Sequence, residues 1–211
     1  MTTPMQLSGR SSSHFTRIPR IFAAELEVAY AFHIVRDLMS TDPVDYGGNP
    51  ALKLPTLQTD DGVWFGSLNI CRELARHSST GLDILWPEDL HSALLCNAQE
   101  MTLQAMATEV GLIMGKASGV VADNALLGKQ RSSLLGTMAW LERNATAALA
   151  ALAPDRDLSY LEVSLFCLVE HLEFREVLSL GAYPVLRAFG QRFAGRSSAR
   201  ATGFRFDFPQ S

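Results

Sequence analysis

Between Met5 and Arg76 the apolar positions change period several times, and each change marks an element. Met5 to Ser8 reads as a short strand, followed by a Ser/His loop. From Arg17 to Leu26 the residues Ile18, Ile21, Phe22 and Leu26 recur at helical spacing, which predicts a first helix with Pro19 in its opening turn, where a missing N–H costs least. Ala29 to Arg36 alternates as a second strand, and Asp37 to Gly48, with Pro43, Gly47 and Gly48, reads as an irregular loop or short helix. Lys53 to Gln58 is a third strand containing Pro55, Asp60-Asp61-Gly62 supplies a hairpin turn, and Val63 to Phe65 is a fourth strand. At Ser67 the spacing becomes helical again (Leu68, Cys71, Leu74) as far as Arg76. The order βαβ then ββα predicts a parallel first pair of strands and a closing antiparallel hairpin.

From His77 to Leu90 polar and turn residues interrupt the pattern and predict a linker; everything beyond reads as helix. Ala93 to Met114 and Leu126 to Leu152 carry apolar residues at helical spacing. Leu161 to Leu172 is almost continuously apolar, which predicts a central buried helix. Its start, Ser159-Tyr160-Leu161-Glu162, has the form of a capping box, with Glu162 reaching back to the backbone. Pro184 to Phe193 is a further helix. The fold class is therefore α/β plus all-α, divided as 1–78, a linker at 79–90 and a helical domain at 91–211.

Composition narrows the function. A chain of 211 residues, 47% of them hydrophobic, can bury a large core as one domain or two small ones. A net charge of -4 argues against a non-specific nucleic-acid binder. Cys71, Cys96 and Cys167 are far apart and embedded in apolar patterns, so they read as reduced core residues rather than as a disulfide or metal set. No apolar run approaches the roughly 20 residues of a membrane span, and His14 has no second ligand at metal-binding spacing, so no metal is expected. Trp64 and Trp86 are expected to pack rather than to stack on a substrate.

The stretch from Asn49 to Leu74 carries the candidate chemistry. A short strand with a proline inside it, followed by a hairpin and a helix opening on Ser67, builds an anion site, because a helix start presents backbone N–H groups without partners. Asn49, Pro50, Lys53, Leu54, Pro55, Leu57, Ser67 and Ile70 together resemble the motif of the glutathione transferase family, in which an Asn-Pro-x-Gly-Lys-Val-Pro-x-Leu run precedes a hairpin and a Glu-Ser-x-x-Ile helix start. Two positions depart: Leu52 stands where the family has glycine, and Gly66 where it has an acid or amide. The resemblance implies an N-terminal thioredoxin-like domain followed by an all-helical C-terminal domain, with Pro55 cis so that the Leu54 backbone pairs with the cysteinyl part of glutathione. It implies Lys53 and Ser67, with Gly66, at the glutathione carboxylates, Ser67 at the cap position, and Glu100 near the glutathione amino group.

The same resemblance places a thiol-activating hydroxyl at the start of the first helix. The family's serine or cysteine position falls on Ser13, a second cysteine position on Phe15, and the tyrosine position on Ser8, so a serine-like, bacterial-type subgroup is implied. Ser13 is the candidate, with Ser11, Ser12 and Thr16 as competitors and Arg17 as an accessory cation. The alternative is that these serines only form a loop and a helix cap. Phe15, Met106, Met114, Phe204, Phe206 and Phe208 are candidate linings for a small hydrophobic substrate whose identity the chain does not reveal. A cytoplasmic homodimer active in detoxification, with glutathione as co-substrate and no membrane or nucleic-acid partner, is the family's implication. A non-catalytic binding or scaffold protein of the same fold is the alternative, and a thiol-disulfide reductase is weaker because no cysteine opens the first helix.

Overall fold

The computed structural model describes residues 4–121 and 123–209. The chain forms two compact units, and it enters the first of them twice: once up to Leu82, and again from Ala194 onward. The second unit is Asp83–Phe193. The sequence pattern assigns the whole of 91–211 to the helical domain, but the residues after Phe193 pack in the first unit. Side-chain partners far away in sequence hold them there, and no local periodicity announces such partners.

The first unit has a four-stranded sheet in the order β2-β1-β3-β4, built from β1 (Gln6–Gly9), β2 (Ala31–Ile34), β3 (Thr56–Thr59) and β4 (Gly62–Phe65). β1 runs parallel to β2 and antiparallel to β3, and β3–β4 is the hairpin closed at Asp60-Asp61. Strand three is shorter than the sequence pattern suggested. It begins at Thr56, because the Leu54–Pro55 bond is cis and Pro55 precedes the ladder. Helices α1 (His14–Glu25) and α2 (Ser67–Arg76) pack on each other. Leu7, Ile18, Ile21, Phe22, Leu57, Ile70 and Leu74 form the core, none more than 1% exposed. The short helix α7 (Ser197–Ala201) packs on α1.

The second unit is helical: α3 (Ala93–Ala117), α4 (Ala125–Ala150), α5 (Tyr160–Phe174) and α6 (Pro184–Phe193). α5 is the central buried helix that its composition predicts, with every residue from Val163 to Val169 buried. Phe166 stacks on Phe193 at 4.6 Å between ring centroids. Three local expectations are corrected. The stretch read as a linker contains a two-residue strand, Ile84–Leu85, paired in parallel with Leu158–Ser159, too short to show a period. Ser159 does cap α5 through the Glu162 N–H, but the Glu162 carboxylate is taken by Arg156, which donates to both of its oxygens at 2.8 Å. Cys96 is exposed, its thiol donating to the Leu90 carbonyl at 3.0 Å, whereas Cys71 and Cys167 are buried thiols as expected. Glu142 of α4 accepts from the Val185 and Leu186 N–H groups at 2.8 and 3.0 Å, so a side chain from another helix caps α6. Among the described residues no helix is long and apolar enough to cross a membrane.

Candidate functional site

The loop between β1 and α1 is a tight turn. The Ser13 N–H donates to the Arg10 carbonyl at 3.1 Å, and the Ser13 hydroxyl accepts from the Thr16 N–H at 3.2 Å, so Ser13 is the N-cap of α1. A hydroxyl has one donor and two acceptor positions, and the cap uses only an acceptor. Gly9 is required at the entry to this loop, because a Cβ there would lie 2.3 Å from the Thr16 side chain. Ser11 is fully buried, and its N–H donates to the Asp207 carboxylate at 2.7 Å.

α1 starts at His14, three residues earlier than the periodicity indicates, so Pro19 lies inside the helix rather than in its first turn. An interior proline withholds the N–H that would bond the carbonyl four residues back and pushes that carbonyl aside. Here the carbonyl is that of Phe15, and its donor is instead the Ser67 hydroxyl at 2.8 Å. Ser67 is correspondingly not the cap of α2. The cap is Gly66, with φ 81° and ψ 144° and no side-chain bond, and Ser67 is the first helical residue, 5% exposed. The positive φ accounts for glycine at a place where the resemblance led us to expect an acid or amide. Leu52, the other departure, also holds a positive φ, 54°, the backbone conformation for which glycine is suited.

Lys53 is exposed, and its carbonyl accepts from the Asn49 amide at 2.7 Å, which ties the loop ahead of the cis bond. Leu54 is half-buried and Pro55 buried. Glu100 lies exposed on α3 with the Gln104 amide donating to it at 2.7 Å. Arg17, expected as an accessory cation for the loop, is 2% exposed. It donates to the Ala199 carbonyl at 3.1 Å, with its guanidinium 4.2 Å from the centre of the Phe204 ring. Phe208, expected as a substrate lining, carries the guanidinium groups of Arg10 and Arg36 at 5.1 and 5.2 Å. Met106 is fully buried, as a core filler is. Trp64 packs within the first unit, donating to the Thr59 hydroxyl and lying under Arg76. The role of the C-terminal segment was invisible in the sequence; the only signal for it was an unusual cluster of phenylalanine and arginine near the end of the chain.

Two charged groups anchor this unit. Burial pushes the Glu25 carboxyl up, but hydrogen bonds from Arg196 and Ser198 outweigh that and leave it below the usual carboxylate value. Glu73, 2% exposed on α2, behaves in the same way: desolvation raises it, and Arg76 at 2.7 Å and His77 at 2.9 Å pull it below the ordinary value on balance.

Residues 12–77 match the family model described as glutathione S-transferase, N-terminal domain. No curated protein sequence matches the chain. Among solved structures, a glutathione S-transferase from Methylobacillus flagellatus with glutathione bound is 18% identical, covering 95% of this chain and all of its own at a TM-score of 0.74. A glutathione transferase family member from Pseudomonas fluorescens, with bound S-(propanoic acid)-glutathione, is 22% identical over 95% of this chain and 100% of its own, TM-score 0.73. A maleylacetoacetate isomerase from Anaeromyxobacter dehalogenans with glutathione in its active site is 15% identical over 95% of this chain and 94% of its own, TM-score 0.62. At such identities the structural matches speak for the fold, and the domain match speaks for residues 12–77. Residues 12–77 therefore match the N-terminal domain of the glutathione S-transferases, and the chain as a whole has the glutathione S-transferase fold.

Proposed function

We propose that the chain is a glutathione transferase that joins the glutathione thiolate to a small hydrophobic electrophile, with Ser13 as the thiol-activating hydroxyl. The observation that carries this is the position of Ser13: a hydroxyl that caps α1 through an acceptor lone pair retains its hydrogen to donate to a thiolate. A cysteinyl thiol ionises near pH 8.5, so holding it as thiolate at neutral pH requires a shift of about two units, or about 2.7 kcal/mol. A charge-assisted hydrogen bond and the positive end of α1 are together of that size. With the thiol proton already passed to solvent, the sulfur attacks the electrophilic carbon, an S–C bond forms, and the bond from that carbon to its leaving group breaks, the leaving group departing into solvent as an anion with the electron pair.

The rest of glutathione is assigned to the Leu54 backbone beside Pro55, to the N–H groups that open α2 at Gly66-Ser67, to Lys53 at a carboxylate and to Glu100 at the amino group. Since the Ser67 hydroxyl donates to Phe15, the backbone N–H groups are given the larger share of the anion. A cytoplasmic homodimer acting in detoxification completes the proposal. Titration calorimetry with glutathione tests binding, and conjugation of a generic aromatic electrophile tests turnover. A second reading, glutathione binding without catalysis, is favoured by the Ser13–Thr16 cap bond, which is by itself a sufficient reason for serine at that place. Saturable heat with turnover supports the enzyme, heat without turnover supports the binding protein, and no heat sinks both.

A further inference from the structure

We propose that the C-terminal segment from Phe204 to Phe208 sets the position of Ser13, with Asp207 as a positioning residue acting through Ser11; this rests on the role given to Ser13 above. The turn that delivers Ser13 runs from Arg10 to Ser13 and is closed by the Ser13 N–H on the Arg10 carbonyl. Its first residue is pinned from two sides. Arg10 donates to the carbonyls of Val35 and Arg36, and its guanidinium lies on the Phe208 ring. Its second residue is held by Asp207, which accepts the Ser11 N–H at 2.7 Å.

This bond is charge-assisted and lies at a buried residue, so its loss leaves an N–H without a partner away from water. Asp207 is itself kept in place by its neighbours. Phe208 bridges Arg10 and Arg36, and Phe204 covers the buried Arg17, which also holds Ala199. The second oxygen of Asp207 is buried and has no hydrogen-bond partner among the described residues. A half-satisfied buried carboxylate is costly, and the bond that this one makes is to the Ser11 N–H of the turn. Arg10 and Arg36 place their guanidinium groups on the ring of the adjacent Phe208. Loosening the turn displaces the Ser13 hydroxyl. Transition-state stabilisation is then lost while ground-state binding, made elsewhere along glutathione, is kept.

The test is Asp207→Ala in the full chain, followed by NMR amide exchange and by kinetics. Ser11 should lose protection by about tenfold or more while the β3–β4 hairpin keeps its own. The thiol of bound glutathione should ionise at higher pH, and kcat at neutral pH should fall about fivefold or more with KM within about twofold. Asp207→Asn, which keeps an acceptor oxygen, should restore most of both. Unchanged exchange at Ser11 overturns the proposal, as does a lower thiol pKa with a higher kcat, which would make the carboxylate a competing anion. If the alanine variant loses protection throughout the unit, Asp207→Glu decides: its longer arm shifts the oxygen, local loss at Ser11 supports the proposal and no change overturns it. A wild-type protein that neither binds nor turns over glutathione removes the chemistry assigned to Ser13, and the exchange measurement still decides whether Asp207 holds the loop.

Discussion

At the scale of single residues, the site is governed by backbone conformations that few side chains accept. Gly66 holds φ 81° and ψ 144° with open space where a Cβ would stand, so Gly66→Ala meets no clash and isolates the backbone cost. That cost is expected to be about 1–3 kcal/mol, read as a lower urea midpoint at unchanged m. Because Gly66 aims the first N–H groups of α2, the same variant is expected to weaken glutathione binding in calorimetry. Ser13 gives the complementary experiment. Ser13→Ala removes the donor and leaves the α1 terminus, so the thiol pKa is expected to rise by about one to two units, which reduces the thiolate at pH 7 by roughly 3- to 25-fold. Conjugation should fall by that factor and recover as the pH approaches 9, whereas Ser12→Ala should be mild; a loss in Ser12→Ala with Ser13→Ala fully active would show that the register through the loop is off by a residue.

Between elements, the contact that matters most joins the first turns of α1 and α2. Pro19 leaves the Phe15 carbonyl without a helical donor, and the Ser67 hydroxyl supplies one. Ser67→Ala is therefore expected to cost about 1–3 kcal/mol of stability through an unsatisfied carbonyl. In a Pro19→Ala background the helix regains its own N–H, and Ser67→Ala should cost less; a double-mutant cycle should show coupling of about 1 kcal/mol. Strictly additive effects would mean that the two sites are independent. α2 also carries a pH response. The folded pKa of Glu73 is lowered, so its contribution is fully present above the unfolded carboxyl value of about 4.3 and is lost as pH falls through the folded value. Urea denaturation between pH 7 and pH 3 is expected to show a steeper acid loss for the wild type than for Glu73→Gln. The variant should also be less stable at pH 7, by about 1–3 kcal/mol.

For the whole molecule, the return of the chain to its first unit is the dominant fact. Arg196 and Ser198 bind Glu25, Ala199 and Phe204 take Arg17, and Asp207 takes Ser11. Ending the chain at Phe193 would expose these partners together and leave Arg17, 2% exposed in the intact unit, without its carbonyl and ring. Loss of a buried group's partners is costly. The truncated protein is expected to melt at least about 5 °C lower, checked by calorimetric scanning. An unchanged melting temperature would show the segment to be an appendage.

Local patterns in the sequence determined most of the elements. The 3.6 and 2.0 periods located the sheet strands and the long helices to within a few residues, because burying one face imposes those periods on the residues themselves. The resemblance carried by the run from Asn49 to Ile70 implied the cis proline, and the change to helical spacing at Ser67 marked the helix start, since turns and helix starts are written in consecutive residues. What only the tertiary structure decided are contacts between residues distant in sequence. Pro19 was read as a first-turn residue because the helix start at His14 lies in a stretch with no apolar period. Ser67 looked like a cap because the acceptor that captures its hydroxyl is 52 positions away. Cys96 looked like core because helical spacing does not say which face is covered. For Arg17, Phe204, Asp207 and Phe208 no local pattern pointed to the partners they have. Each acquires its role from a partner on the far side of the chain, and the free energy of such a contact depends on closing the loop between the partners, which no window of neighbouring residues encodes.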